Sequence, residues 1–136
     1  MEANCRIARS ALQQMLELAR ADAVHECCGL LAGRDSIIST IFPARNALAS
    51  ATAYEIAPQE LFALFREIRT QELEFLGIYH SHPQSENIPS ATDIARAYYP
   101  DAIHFIISPK PYAPKPIRAF RVRDGHVTGF SIEVLP

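Results

Sequence analysis

His80 and His82 stand two residues apart in the run GIYHSHPQSENIPSATD, residues 77–93, and Ser90 and Asp93 close that run. Residues 73–79, bulky and mostly apolar, predict a strand leading straight into the histidines. In a strand, residues i and i+2 share a face and lie about 6–7 Å apart along the chain. Two neutral imidazoles so placed can lean together onto one cation. Pro83 ends the ladder and a polar loop follows. Ser90-Ala-Thr-Asp93 then opens a short predicted helix through Ala97, which returns Asp93 as a third donor. Two His nitrogens and a carboxylate with an open fourth position form the ligand set of a catalytic Zn²⁺; a structural site more often closes its shell with four protein ligands. Each part also has a plainer reading. An isolated His-x-His is common, and Ser-x-x-Asp is a helix-capping pattern. The long, constrained combination is what sets this stretch apart.

The elements that must carry these residues can be read around them. Residues 6–21 place Ile7, Ala8, Ala11, Leu12, Met15, Leu16 and Ala19 at helical spacing, which predicts an amphipathic first helix. Residues 26–32 read as a buried strand, turned at residues 33–35 into a second strand over 36–42. A small-residue loop follows from Pro43 to Thr52, and residues 54–56 return briefly to strand. Pro58 suits the first position of a helix, because its missing N–H costs nothing there. Leu61, Phe62, Leu64, Phe65 and Ile68 continue that helix as one stripe to Thr70. Residues 102–108 (AIHFIIS) form an apolar strand, and four prolines in residues 109–116 make a stiff loop outside the sheet. Residues 117–123 alternate apolar and basic side chains, which predicts a half-exposed strand. Asp124-Gly125 is a hairpin signal, and residues 127–135 close the sheet. Pattern alone gives α/β or α+β: one mixed sheet with helices packed on it.

Bulk properties exclude several classes. The 136 residues suit one domain with one core. A hydrophobic share of 49% and a charged share of 21% are ordinary for a soluble globular protein. The net charge of −2 gives no strong field toward nucleic acid or an anionic membrane. No apolar run approaches the roughly 18 residues of a membrane span. Arg6 and Arg9 are followed by Gln13, Gln14 and Glu17, not by the apolar core of a signal peptide. Three cysteines, two of them adjacent, form no disulfide framework, and a reduced, cytoplasmic setting is expected.

Other candidate motifs fall away. His25-Glu26 begins like a His-Glu-x-x-His zinc motif, but residue 29 is Gly. A zinc deaminase needs Pro-Cys-x-x-Cys, and the cysteines here are adjacent. Cys27 and Cys28 in an apolar strand read as core filling. His104 reads as a core or edge histidine bonded to backbone. Arg118, Arg121 and Arg123 read as a solvated strand face, with an acidic partner protein as the alternative. Glu26, on residues alone, is a solvated charge ahead of a strand.

His80-Ser81-His82-Pro83, then seven residues from Pro83 to Pro89, then Ser90-x-x-Asp93, resembles the JAMM (MPN-plus) family of zinc metalloproteases. The upstream block Glu26-Cys27-Cys28-Gly29-Leu30-Leu31-Ala32-Gly33, Asn46 and Tyr54-Glu55-Ile56-Ala57-Pro58 extend the likeness from about residue 6 to the C-terminus. Val24 stands where the family often has Pro. The resemblance, strongest to short prokaryotic members, implies one JAMM domain over residues 1–136. Its fold would be α/β (α+β), cytidine-deaminase-like, a mixed curved sheet flanked by helices with zinc at one edge. It implies that His80, His82 and Asp93 hold one Zn²⁺ per chain. Glu26 would act as general base toward the metal's water, and Ser90 would donate to the oxyanion. The implied reaction is hydrolysis of the (iso)peptide bond after the C-terminal Gly-Gly of a ubiquitin-like or sulfur-carrier protein. Eight residues between Asp93 and residue 102 leave no room for the insertion of linkage-specific deubiquitinases. A non-enzymatic MPN-type scaffold is the alternative, which the complete residue set argues against. No nucleic-acid or membrane partner is expected, and a homodimer is left open.

Overall fold

The computed structural model describes residues 3–136. Along the chain come β1 (Asn4–Ala8), α1 (Arg9–Ala21), β2 (Cys28–Arg34), β3 (Ile37–Ala44) and α2 (Pro58–Thr70). Then follow β4 (Glu74–Ser81), α3 (Ala91–Ala95), β5 (Ile103–Ile107), β6 (Ile117–Arg123) and β7 (His126–Leu135). The strands hydrogen-bond in the order β1-β3-β2-β4-β5-β6-β7, and β1 pairs with β7, so the curved sheet closes on itself. β1 runs parallel to both its neighbours and β4 parallel to β5; the remaining pairs are antiparallel. The mixed α+β class expected from sequence is the one found, and closure of the sheet goes beyond it.

Closure depends on β1, which the sequence reading absorbs into the first helix. Cys5 and Ile7 are buried on one face of this five-residue strand, and Ile7 pairs with Ile38 on one side and Val134 on the other. Helix α1 starts only at Arg9, and Ala8 at its N-cap makes no side-chain cap bond, so no capping residue marks the change. α1 packs against β3, β4, β5 and β7, strands spread around the ring. A helix outside a closed sheet cannot reach all four, so α1 fills the interior. Ala11, Met15 and Ala19, one per turn, are fully buried there.

The strand pleat sends Leu31, Tyr79, Phe105 and Ile107 inward with α1 and the alternate positions outward. α2 covers the outer face, packing Leu61, Leu64, Phe65 and Ile68 over Leu30, Ala32, Phe42 and Ile78. Phe62, expected in that stripe, is exposed, with the Arg66 guanidinium 5.5 Å above its ring. Residues 54–56 are irregular, not strand, and β3 continues through Pro43 to Ala44. Asp124 and Gly125 take φ of 49° and 78°, the two left-handed positions of a tight hairpin turn. β6 is more buried than its alternation predicts: Ala119, Phe120 and Val122 are all buried. Its arginines also diverge, Arg121 lying 4.8 Å over Phe130 and Arg123 pairing with Asp101 at 2.8 Å. No helix among the described residues is long and apolar enough to cross a membrane.

Gly77 lets β4 and β5 approach. A Cβ there would stand 2.6 Å from the Ile103 carbonyl oxygen on the paired strand. Gly77→Ala should therefore destabilise the fold by about 1–3 kcal/mol, the usual range for overpacking. Denaturant unfolding measures this, and an unchanged midpoint would show that the two strands can part without loss.

Candidate metal centre

The centre is built where β4 ends. His80 belongs to β4, opposite Cys28 of β2 and Ile106 of β5. His82 lies one residue past the strand, but its N–H still donates to Ile107 O at 2.9 Å, which extends the ladder and keeps both imidazoles on the outer face. Ser81 points the other way, fully buried, and its Oγ accepts the Cys27 N–H at 2.9 Å. That contact holds the residues just ahead of β2 against the end of β4, bringing Glu26 alongside His82. Glu26 precedes the strand by two residues instead of opening it, and it is only 3% exposed. Its N–H donates to Ser50 O at 2.8 Å, and its carbonyl accepts from Asn46 Nδ2 at 3.0 Å. Asn46 also donates to Ala53 O at 3.0 Å. The loop so gathered carries Tyr54, whose ring stacks on His80 with centroids 4.6 Å apart.

Asp93 arrives from α3. Ser90 caps that helix: its Oγ accepts the Asp93 N–H at 3.1 Å, while Asp93 Oδ2 accepts the Ser90 N–H at 2.9 Å. The same Oδ2 lies 3.2 Å from His80 Nε2 and 3.0 Å from His82 Nε2, and those two nitrogens are 3.1 Å apart. The Glu26 carboxylate and the two imidazoles also offer donor atoms within 4.8 Å of one another. The structure thus brings His80, His82, Asp93 and Glu26 together, with Ser90 beside Asp93.

The electrostatics fit a cation at this point. His82 Nδ1 donates to Glu86 O at 2.7 Å, which leaves the neutral ring's Nε2 lone pair facing the other donors. Burial would pull the His82 pKa down, but Asp93 and the Glu86 carbonyl outweigh it and raise it. Burial lowers the His80 pKa. Asp93 would be raised by burial, yet the His80 and His82 imidazoles against its carboxylate hold it well below the usual carboxylate range. Burial pushes Glu26 up to about 7, and its Oε1 is buried with no partner. The His82 lone pair, a second imidazole and a carboxylate converging out of water form a donor set whose charge one divalent ion would balance.

Some side chains gain importance that the residues alone do not announce. Tyr54 braces His80, and Asn87, in the loop between His82 and Ser90, is buried. Cys27 and Cys28 have thiol pKa values raised by burial, Cys28 to about 12, in keeping with core filling. His104 departs from expectation: it is buried, but its Nε2 has no partner. It helps to line a cavity of about 260 Å³, with Tyr54, Ile56 and Tyr99, that reaches His80 and Asp93.

A mixed sheet closed around one helix, with His-x-His on a strand end and Asp on a capped helix, is the arrangement of a JAMM-type metallopeptidase. A model of prokaryotic homologs of the JAB domain matches residues 8–123, and the chain belongs to that family. It is 39% identical over 104 residues to a desampylase of Haloferax volcanii, covering 74% of each protein. It is 32% identical over 123 residues to the CysO-cysteine peptidase of Mycobacterium tuberculosis, covering 89% of this chain and 84% of that one. A solved structure of a Desulfitobacterium hafniense protein superposes with a TM-score of 0.86 at 27% identity, covering 96% of this chain and 92% of that one.

His104 generates a pH prediction. Burial, aided by His80, lowers its pKa to about 4, against about 6.5 in an unfolded chain. The unfolded state binds this proton first, so stability is full above about pH 6.5 and falls as pH drops toward 4. Metal-free wild type should lose stability over that window more steeply than His104→Phe, by up to roughly 3 kcal/mol. Urea unfolding at several pH values measures the difference; parallel curves would mean that His104 is not held neutral by the fold.

Proposed function

We propose that His80, His82 and Asp93 hold one Zn²⁺ and that this metallopeptidase hydrolyses the (iso)peptide bond after the Gly-Gly of a ubiquitin-like or sulfur-carrier protein. The observation that carries the reading is the buried convergence of Asp93 on two imidazoles beside a carboxyl group raised to about 7. When bound, the ion supplies Lewis acidity for activating water and polarising the scissile carbonyl. Glu26 takes the proton of the attacking water at its unpartnered Oε1 and delivers it to the leaving amine. Ser90 Oγ already accepts the Asp93 N–H, so its own O–H is free to donate to the developing oxyanion. Asp93 needs no further support, because the Ser90 N–H fixes it.

Substrate class follows from access and from relatives. His80 and His82 are 1% and 3% exposed, so the scissile bond must reach them on a thin stretch of chain, which Gly-Gly provides. Similarity to proteins named desampylase and CysO-cysteine peptidase supports the same class. In this reading residues 1–136 act as one domain in the cytoplasm, where three unbridged cysteines are at home. The competing reading, a scaffold without metal, leaves four converging donors without purpose.

Elemental analysis should find about one zinc per chain, lost in His80→Ala/His82→Ala; wild-type zinc in that double variant would rule out the site. Glu26→Gln should keep zinc and lose turnover, whereas Ser90→Ala should keep zinc and lose about two to three orders of magnitude in kcat. Near-normal turnover by Glu26→Gln would remove Glu26 as the base.

The substrate test compares a carrier extended past its Gly-Gly, the same fusion with the last Gly changed to Ala, and an isolated Gly-Gly peptide. The Ala fusion should lose at least ~10-fold in kcat/KM, and the peptide should be poor because the folded carrier binds far from the bond. Equal rates on all three would make the protein a general peptidase.

A further inference from the structure

We infer that Asn87 is a positioning residue for the metal centre, setting the tautomer and direction of His82 through the peptide it shares with Glu86. The inference rests on the metal-site reading above. From Gln84 to Ser90, Asn87 is the single buried side chain; Gln84, Ser85, Glu86 and Ile88 are exposed. Its Nδ2 donates to Ile106 O at 3.3 Å and to Lys115 O at 2.8 Å. Both amide protons are therefore used, one on β5 and one on the four-proline segment.

The Glu86 carbonyl and the Asn87 N–H belong to one planar peptide. Fixing Asn87 against β5 fixes the direction of that carbonyl, which accepts His82 Nδ1–H at 2.7 Å. An imidazole that donates from Nδ1 must present its Nε2 lone pair to the metal, and outer partners of this kind decide both tautomer and ring angle. His80 has no such device, its buried Nδ1 lacking a partner, and is directed in another way. His80 sits inside β4 and is stacked on Tyr54. His82 lies past the strand, and among the described residues the one hydrogen bond its ring makes outside the donor cluster is to this loop carbonyl.

The alternative is that Asn87 merely staples the proline segment to β5. The two separate experimentally in Asn87→Asp, which keeps the shape but replaces both donors with a charge facing two carbonyls, and in Asn87→Ser, which keeps one small donor. At a temperature where the metal-free proteins are folded, zinc affinity by chelator competition should fall about 10–100-fold in Asn87→Asp and less in Asn87→Ser. The slowly exchanging Nδ1–H resonance of His82 should vanish from the proton spectrum of Asn87→Asp. On the carrier fusion, kcat should drop while KM holds. Wild-type zinc affinity together with an intact Nδ1–H resonance in folded Asn87→Asp overturns the inference. If Asn87→Asp does not fold, Asn87→Ser is read the same way, and no loss of zinc affinity overturns it. Failure of the metal reading looks different: wild-type protein itself then takes up no zinc, which overturns both.

Discussion

One carboxylate oxygen holds the centre together. Asp93 Oδ2 meets the Ser90 N–H and both imidazole Nε2 atoms within 3.2 Å. With the two imidazole nitrogens 3.1 Å apart in a nearly dry pocket, that oxygen completes a cluster of electron pairs that only a shared proton or a cation can hold together. The fold is arranged to make that crowding permanent. The closed sheet fixes the end of β4, and the parallel register with β5 continues to Ile107 O to keep His82 beside His80. Ser81, turned inward, ties β4 to the residues ahead of β2, and Glu26 arrives by that tie. Displacing any one of these elements would separate the donors.

The Ser-x-x-Asp pattern shows how a local and a chemical explanation can both be true. The capping box needs Ser90 Oγ as an acceptor and the Asp93 carboxylate as an acceptor. The proposed chemistry needs the Ser90 O–H as a donor and the remaining electron pairs of Asp93 as ligands. These demands fall on different lone pairs and protons of the same two side chains, so neither excludes the other. A cap also suits a proposed ligand on so short a helix. α3 spans five residues, too few for stability of its own, and the reciprocal cap supplies order where packing cannot.

How much the sequence discloses depends on whether a residue's neighbours lie near it in the chain. α2 begins at Pro58 and ends at Thr70 as its pattern says, and the Asp124-Gly125 turn takes the backbone that its residues favour. The donors His80, His82, Ser90 and Asp93 sit within fourteen positions, so strand and helix periodicity suffice to gather them. β1 is missed because its identity comes from β3 and β7, the latter more than a hundred residues away, and because Ile7 and Ala8 also fit a helical stripe. Residues 54–56 look like a strand because Tyr and Ile flank Glu, but the backbone there follows Asn46, whose Oδ1 accepts the Glu55 N–H at 3.2 Å. Asn87 and His104 are silent for the same reason. Nothing local reveals that one spans to Lys115 or that the other loses its partner by burial.

The site therefore divides into two halves of different mechanical character. His80 is held inside the closed sheet, where motion would have to disturb core residues such as Tyr79 and Leu30, and Glu26 is tied to that sheet through the neighbouring Cys27–Ser81 contact. His82 and Asp93 depend on eight intervening or flanking loop residues and a five-residue helix, anchored at Pro83, Asn87 and the Ser90 cap. Interiors packed at crystal-like density resist change, whereas surface loops tolerate it. The sheet half can then set where the Glu26 carboxyl and first imidazole stand, while the loop half sets how tightly the remaining donors close. Geometry at the donor cluster is thus decided by a few polar contacts outside the core. A fold with an unaltered core could still tighten or loosen its centre through those contacts alone.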